Sequence, residues 1–73
     1  MKAYVMIKSK NPQEMKKYLE NIKQIEEVHT VYGGYDLVVE IRAKDILELG
    51  EIIMKEIRER FPVEETITLI VAD

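Results

Sequence analysis

The chain has no cysteine, no tryptophan, one histidine and one serine. The absence of cysteine excludes disulfides and thiolate metal sites. His29 has no second His or Cys to share a metal ion, so we expect it to be a strand-surface residue, with no metal and no cofactor. Asp36 is the most conspicuous acid, but no Ser, Cys or His is placed to form a nucleophile–base pair with it. We therefore expect no catalytic residues and no enzyme.

The chain also lacks a long apolar run and an excess of basic residues. No segment approaches the roughly 20 apolar residues that span a bilayer, and the formal charge of -3 argues against direct nucleic-acid binding. No signal-peptide pattern follows Met1, so we expect a cytoplasmic protein. A chain of 73 residues has room for one domain, which alone is marginally stable. Without disulfides or metals, oligomerisation is the expected compensation.

Hydrophobic periodicity divides the chain into six elements. Alternating or helical patterns predict a strand at 3–8, a helix at 12–24, strands at 27–32 and 35–43, a helix at 45–60 and a strand at 63–71. The order β-α-β-β-α-β predicts an α+β fold of the ferredoxin-like type. In that fold a four-stranded antiparallel sheet carries both helices on one face.

The other sheet face is left without helices. Alternation predicts that this uncovered face carries Tyr4, Met6, Val38 and Ile70. The same pattern places Ile67 and Leu69 beneath the helices, and the second helix is expected to bury Ile46 and to pack closely at Gly50. Four apolar residues on one face form a patch that a second copy could cover, giving a face-to-face dimeric sandwich or barrel. The alternative is a partly exposed face without a partner.

The segment from Val31 to Val39 contains the most informative motif. Two glycines between strand-like runs predict a tight hairpin, because glycine adopts positive φ at no steric cost. Tyr35 and Asp36 follow directly, although strand formation does not favour Asp. The candidate ligand-binding residues are Gly33, Gly34, Tyr35 and Asp36, with Thr66 and Thr68 on the last strand.

These groups suit a small zwitterion. An ammonium could meet Asp36, and a carboxylate could meet loop N–H groups or hydroxyls. The simpler alternatives are ordinary hairpin chemistry for Tyr35-Asp36 and ordinary β-propensity for the two threonines.

The residues from Ala3 to Ile7, from Val31 to Val39 and from Val63 to Val71 resemble one known domain. It is the C-terminal effector domain of the leucine-responsive regulatory protein (Lrp)/AsnC family, called the regulation-of-amino-acid-metabolism (RAM) domain. The resemblance covers essentially the whole chain and includes the Gly-x-Tyr-Asp and Thr-x-Thr elements. It implies the βαββαβ fold, face-to-face dimers and rings of eight or ten subunits. It also implies an amino-acid effector bound at subunit interfaces near Gly33, Tyr35 and Asp36.

Full-length members of this family carry a helix-turn-helix domain before the effector domain, whereas residues 1–73 read as a single RAM-like domain. We therefore expect an amino-acid-responsive regulatory domain without its own DNA-binding domain. It would act through homodimers, higher rings or co-assembly with full-length regulators. Three alternatives remain open. One is a small dimeric α+β barrel enzyme, with His29 and Asp36 facing one cavity. Another is an ACT-like amino-acid-binding module, and the third is a pure scaffold that binds no ligand.

Overall fold

The strands and helices follow the predicted β-α-β-β-α-β order of a ferredoxin-like fold. The computed structural model describes residues 1–73. Its elements are β1 (Lys2–Ser9), α1 (Pro12–Leu19), β2 (Ile25–Thr30), β3 (Leu37–Arg42), α2 (Ile46–Ile52, continuing as a π-helix over Ile53–Arg58) and β4 (Val63–Ile70). The sheet is antiparallel with strand order β2-β3-β1-β4. Neither helix has the length and the apolar composition that a membrane-spanning helix needs.

The first helix ends earlier than the periodicity predicts. The backbone N–H groups of Asn21 and Ile22 donate to carbonyls three residues back, at Tyr18 and Leu19. Such bonds tighten the last turn and satisfy orphan carbonyls. The chain then reaches β2 through a short turn, so the predicted extension of the helix to residue 24 is wrong.

The hydrophobic core lies between the helices and one face of the sheet. Alternate residues of β1 and β3 face the helices and are buried: Ala3, Val5, Ile7, Leu37, Val39 and Ile41. Met15 and Leu19 of α1 and Leu49 of α2 pack against them. The alternation predicted for the two central strands is confirmed.

The register of the edge strand β4 corrects part of the prediction. Tyr4 pairs with Leu69 and Met6 with Ile67, and directly paired side chains project from the same face of a sheet. Leu69 and Ile67 therefore lie on the open face, defined here as the uncovered face carrying Tyr4, Met6, Val38, Ile67 and Leu69. They do not lie beneath the helices.

Ile70 pairs with Ala3 and so lies on the helix side of the sheet, which means that its predicted place on the open face is wrong. The strand carries apolar residues on both faces, so the alternation of its sequence does not determine which face is which. Only the pairing with β1 decides it. Tyr4, Met6 and Val38 lie on the open face as predicted, half-buried within the single chain.

The second helix contains a π-helical turn that changes its buried stripe. The N–H of Glu59 donates to the carbonyl of Met54, five residues back, at 2.8 Å. One π turn therefore places Ile52 and Ile57 on the same side, and both are buried. Ile46 is 65% exposed, so its predicted burial is wrong.

Gly50 lies in the middle of α2 without a close neighbour. A Cβ built at this position meets no atom within 4 Å. The prediction that close packing explains this glycine is therefore wrong for contacts within the chain. A glycine in a helix interior is destabilising by about 1 kcal/mol relative to alanine, and nothing in the single chain offsets that loss.

Candidate functional site

The connection between β2 and β3 is a six-residue turn. It spans residues 31–36 and is closed by a hydrogen bond of 2.9 Å from the N–H of Val31 to the carbonyl of Asp36. Gly33 has φ +127°, a conformation that only glycine adopts without strain. The turn is therefore longer than the predicted tight hairpin. Of the two glycines, Gly33 is the one whose positive φ requires glycine.

The turn leaves a run of backbone donors free. The N–H groups of Tyr32, Gly33, Gly34 and Tyr35 donate no hydrogen bond within the chain. The side chain of Tyr32 is fully exposed beside them. Adjacent free N–H groups in a turn can form a concave site for an anion such as a carboxylate.

Asp36 is half-buried at the end of this turn. Its Oδ2 atom accepts a hydrogen bond of 2.9 Å from the N–H of Ser9, and its own N–H donates to the carbonyl of Ile7 at 2.9 Å. The hydroxyl of Ser9 accepts in turn from the N–H of Asn11, directly before α1. The second carboxylate oxygen, Oδ1, makes no hydrogen bond within the chain and remains available to a ligand.

Tyr35 points away from Asp36 toward β4. Its hydroxyl donates a hydrogen bond of 2.7 Å to Oε2 of Glu65. This bond, helped by partial desolvation and by the negative charge of Glu65, raises the pKa of the Tyr35 phenol. No sequence pattern pointed to this partner, since the two residues are thirty positions apart and Glu65 is one of several acids in its neighbourhood.

A cleft of about 230 Å³ adjoins the turn. Its lining comprises Pro12, Gln13, Thr30, Val31, Tyr32 and Asp36. Ligand pockets usually enclose roughly 300–1,000 Å³, so this cleft is somewhat smaller than a typical ligand pocket. Three larger clefts lie away from the turn, at the β2–α1 edge, beside the termini and at the end of the second helix.

The two threonines are not brought to this cleft. Thr66 pairs with Ile7 and Thr68 with Val5, which places both hydroxyls on the helix side of β4. The hydroxyl of Thr66 accepts a hydrogen bond of 3.1 Å from Nη1 of Arg58 at the end of the second helix. Neither threonine bonds to the turn, and within one subunit they form a separate group.

His29 and Asp36 do not face one cavity. His29 lies on β2 paired with Val38, and its Nε2 atom is 2.8 Å from the carboxylate of Glu27. It lines the cleft at the β2–α1 edge, whereas Asp36 lines the cleft at the turn. No group of three or more His, Cys, Asp or Glu side chains converges to hold a metal ion. The geometry does not assemble the acid–base pair of the barrel-enzyme alternative.

Comparisons with known proteins agree with this architecture. A helix-turn-helix-type transcriptional regulator from Pyrococcus horikoshii is 33% identical over 57 residues, covering 78% of this chain and 38% of the regulator. The chain thus matches well under half the length of that curated relative.

Two solved structures superpose on nearly the whole chain. A Thermus thermophilus protein is 32% identical with a TM-score of 0.91, and the match covers 99% of this chain and 92% of that one. A feast-or-famine regulatory protein from Mycobacterium tuberculosis, solved with L-methionine, is 23% identical. Its TM-score is 0.83, and the match covers 99% of this chain and 50% of that chain.

A family model that matches nearly the whole chain identifies the family. A family model described as the Lrp/AsnC ligand binding domain matches residues 2–73. The chain therefore belongs to the Lrp/AsnC family, as a ligand-binding regulatory domain of the kind found in transcription regulators and not as an enzyme.

Proposed function

We propose that this protein senses an amino acid at the turn formed by residues 31–36. The observation that carries the proposal is the pairing of two complementary groups. Four consecutive free N–H groups directly precede Asp36 along the turn, and Oδ1 of Asp36 makes no hydrogen bond within the chain. The N–H groups suit a carboxylate and Oδ1 suits an ammonium, so together they match the backbone groups of a free amino acid.

The volume of the cleft supports a site shared between subunits. At about 230 Å³ and open to solvent, it needs a second surface to enclose a ligand. The mycobacterial regulator of the same fold was solved with L-methionine, which agrees with an amino-acid effector. Thr66 and Thr68 enter this proposal only as groups that a neighbouring subunit could contribute.

We further propose that the open face mediates dimerisation. Val38, Met6 and Ile67 form one continuous apolar row across three strands, and Tyr4 and Leu69 form a second apolar row across two strands, next to Glu40 on β3. A second copy laid against them would remove this patch from water. Each large apolar side chain fully buried contributes roughly 1.5–3 kcal/mol.

We also propose that the protein forms higher rings and co-assembles with full-length regulators of the family. It would act without an attached DNA-binding domain. The match covers 92% of the Thermus thermophilus chain, so that solved chain holds little beyond this domain. Transcription would then change through the partner that this domain joins or leaves.

The test combines native mass spectrometry with titration calorimetry, using each of the common amino acids as the probe. We expect one or a few amino acids to bind with a stoichiometry set by the assembly. Asp36→Asn should weaken that binding at least tenfold, because the charge that meets the ammonium is lost while an oxygen remains to accept from Ser9.

Glu59→Gln is the matched control for this variant. It removes one negative charge from an exposed side chain at the end of the second helix, far from the turn in the sequence. Unchanged affinity in Asp36→Asn would contradict the assigned site. Failure of the wild type to bind any amino acid would contradict the sensor function itself.

A further inference from the structure

Glu65 is a charged residue that lies outside the turn of residues 31–36 but contacts one residue of that turn. Its carboxylate accepts the 2.7 Å hydrogen bond from the hydroxyl of Tyr35. Tyr35 precedes β3 and Glu65 lies on β4, and the two strands are separated in the sheet by β1. The bond therefore crosses the end of a strand to join two elements that do not otherwise pair.

Tyr35 depends on this bond for its position. The residue after it, Asp36, is anchored through its backbone to Ile7 and through its side chain to Ser9. The N–H of Tyr35 has no partner within the chain. The Glu65 carboxylate is thus the hydrogen-bond partner of Tyr35 within the chain, and Tyr35 belongs to the segment with the free N–H groups.

Glu65 also belongs to the open face. It pairs with Lys8, and side chains two and four residues further along the same strand, Ile67 and Leu69, project from the same face. A partner chain that covers Ile67 and Leu69 would lie beside the stem of Glu65. One side chain therefore contacts the effector turn and borders the proposed interface between subunits.

We propose that Glu65 is a positioning residue that couples effector binding at the turn to assembly through the open face. This inference rests on the proposed sensor function. A ligand that moves the 32–35 segment shifts Tyr35, which shifts the Glu65 side chain at the edge of the interface. By thermodynamic linkage, assembly then changes effector affinity by the same factor that the effector changes assembly.

The experiment measures amino-acid affinity by calorimetry and assembly by sedimentation velocity, with and without the amino acid that binds the wild type. Breaking one solvent-exposed hydrogen bond changes an equilibrium on the order of twofold to tenfold. We expect Glu65→Ala to weaken effector binding by that factor and to abolish the effector-dependent change in sedimentation.

Tyr35→Phe should reproduce the effect, because it removes only the hydroxyl from the turn side of the bond. Glu65→Gln should restore much of the coupling, since its amide oxygen still accepts a hydrogen bond. The double variant Tyr35→Phe/Glu65→Ala should be no worse than either single variant. Glu64→Ala is the matched control, because it removes the same charge from the neighbouring exposed position, to which Tyr35 does not bond.

The outcomes separate this inference from the function on which it rests. A wild type that binds no amino acid overturns both. A wild type that binds and changes its assembly, with Glu65→Ala and Tyr35→Phe behaving identically to it, overturns the coupling alone. Circular dichroism checks that each variant is folded, and Tyr35→Phe keeps the test decisive if Glu65→Ala disturbs the interface directly.

Discussion

The carboxylate of Asp36 and the backbone of Ser9 are joined by a hydrogen bond of 2.9 Å from the N–H to Oδ2. Ser9 is buried at the point where the register between β1 and β4 shifts, and its hydroxyl accepts from the N–H of Asn11. Asp36 therefore ties the end of β1 and the start of α1 to the start of β3. The same side chain has a structural role through Oδ2 and a proposed ligand role through Oδ1.

The two roles of Asp36 predict different behaviour for two substitutions. Asp36→Ala should lower the free energy of unfolding by about 1–2 kcal/mol, because a buried N–H loses its acceptor. Asp36→Asn keeps an oxygen acceptor and should lose less than half of that. Urea denaturation measures both, with Glu59→Ala as a surface control. Equal stability losses in the two Asp36 variants would show that the charge matters more than the hydrogen bond to Ser9.

The register of β4 predicts which face of this strand takes part in assembly. Leu69 and Ile70 are adjacent, apolar and similarly exposed, at 53% and 43%, but they lie on opposite faces of the sheet. Leu69→Lys places a charge on the open face and should dissociate the dimer. Ile70→Lys should leave it intact.

Sedimentation velocity at several protein concentrations tests this pair of variants. The expected mass of Leu69→Lys is that of one chain, 8.6 kDa, if the open face is the only strong contact, or a mass smaller than that of the wild type if other contacts also join subunits. The reverse result, with Ile70→Lys dissociating the assembly and Leu69→Lys leaving it unchanged, would move the interface to the other side of β4.

The bond between Tyr35 and Glu65 predicts an alkaline titration. Since the folded-state pKa of Tyr35 is raised, the bond contributes to stability below the unfolded phenol pKa of about 10. That contribution is lost as the pH rises through the folded value. The difference in absorbance at 295 nm between wild type and Tyr35→Phe isolates this group. The same difference measured in the Glu65→Ala background should titrate closer to pH 10, and no change there would show that the bond does not form in solution.

Sequence reasoning recovered the parts of the structure that local patterns determine. The order of the elements follows from periodicity and from stops such as Pro62. The buried faces of β1 and β3 follow from strict alternation. The phase of β4 did not follow, because its faces are almost equally apolar and only its pairing with β1 distinguishes them.

The candidate site was also predictable only in part, where local patterns determine it. Gly33 and Asp36 were identifiable because each departs from what a simple strand requires. The partners of the site residues, Ser9 for Asp36 and Glu65 for Tyr35, depend on long-range pairing across β1 and carry no sequence motif. The π turn was also missed, since a spacing of five residues between Ile52 and Ile57 resembles an interruption of the helical pattern.

Gly50 gives a final prediction about the outer surface of the second helix. Its position is exposed, and a Cβ there meets nothing within 4 Å. Gly50→Ala should therefore raise the free energy of unfolding by about 0.5–1 kcal/mol through helix propensity and a smaller loss of backbone entropy. Urea denaturation at low protein concentration measures the gain for the chain itself. A loss of stability that appears only at high protein concentration would show that another chain approaches the helix at Gly50, where even a methyl group interferes.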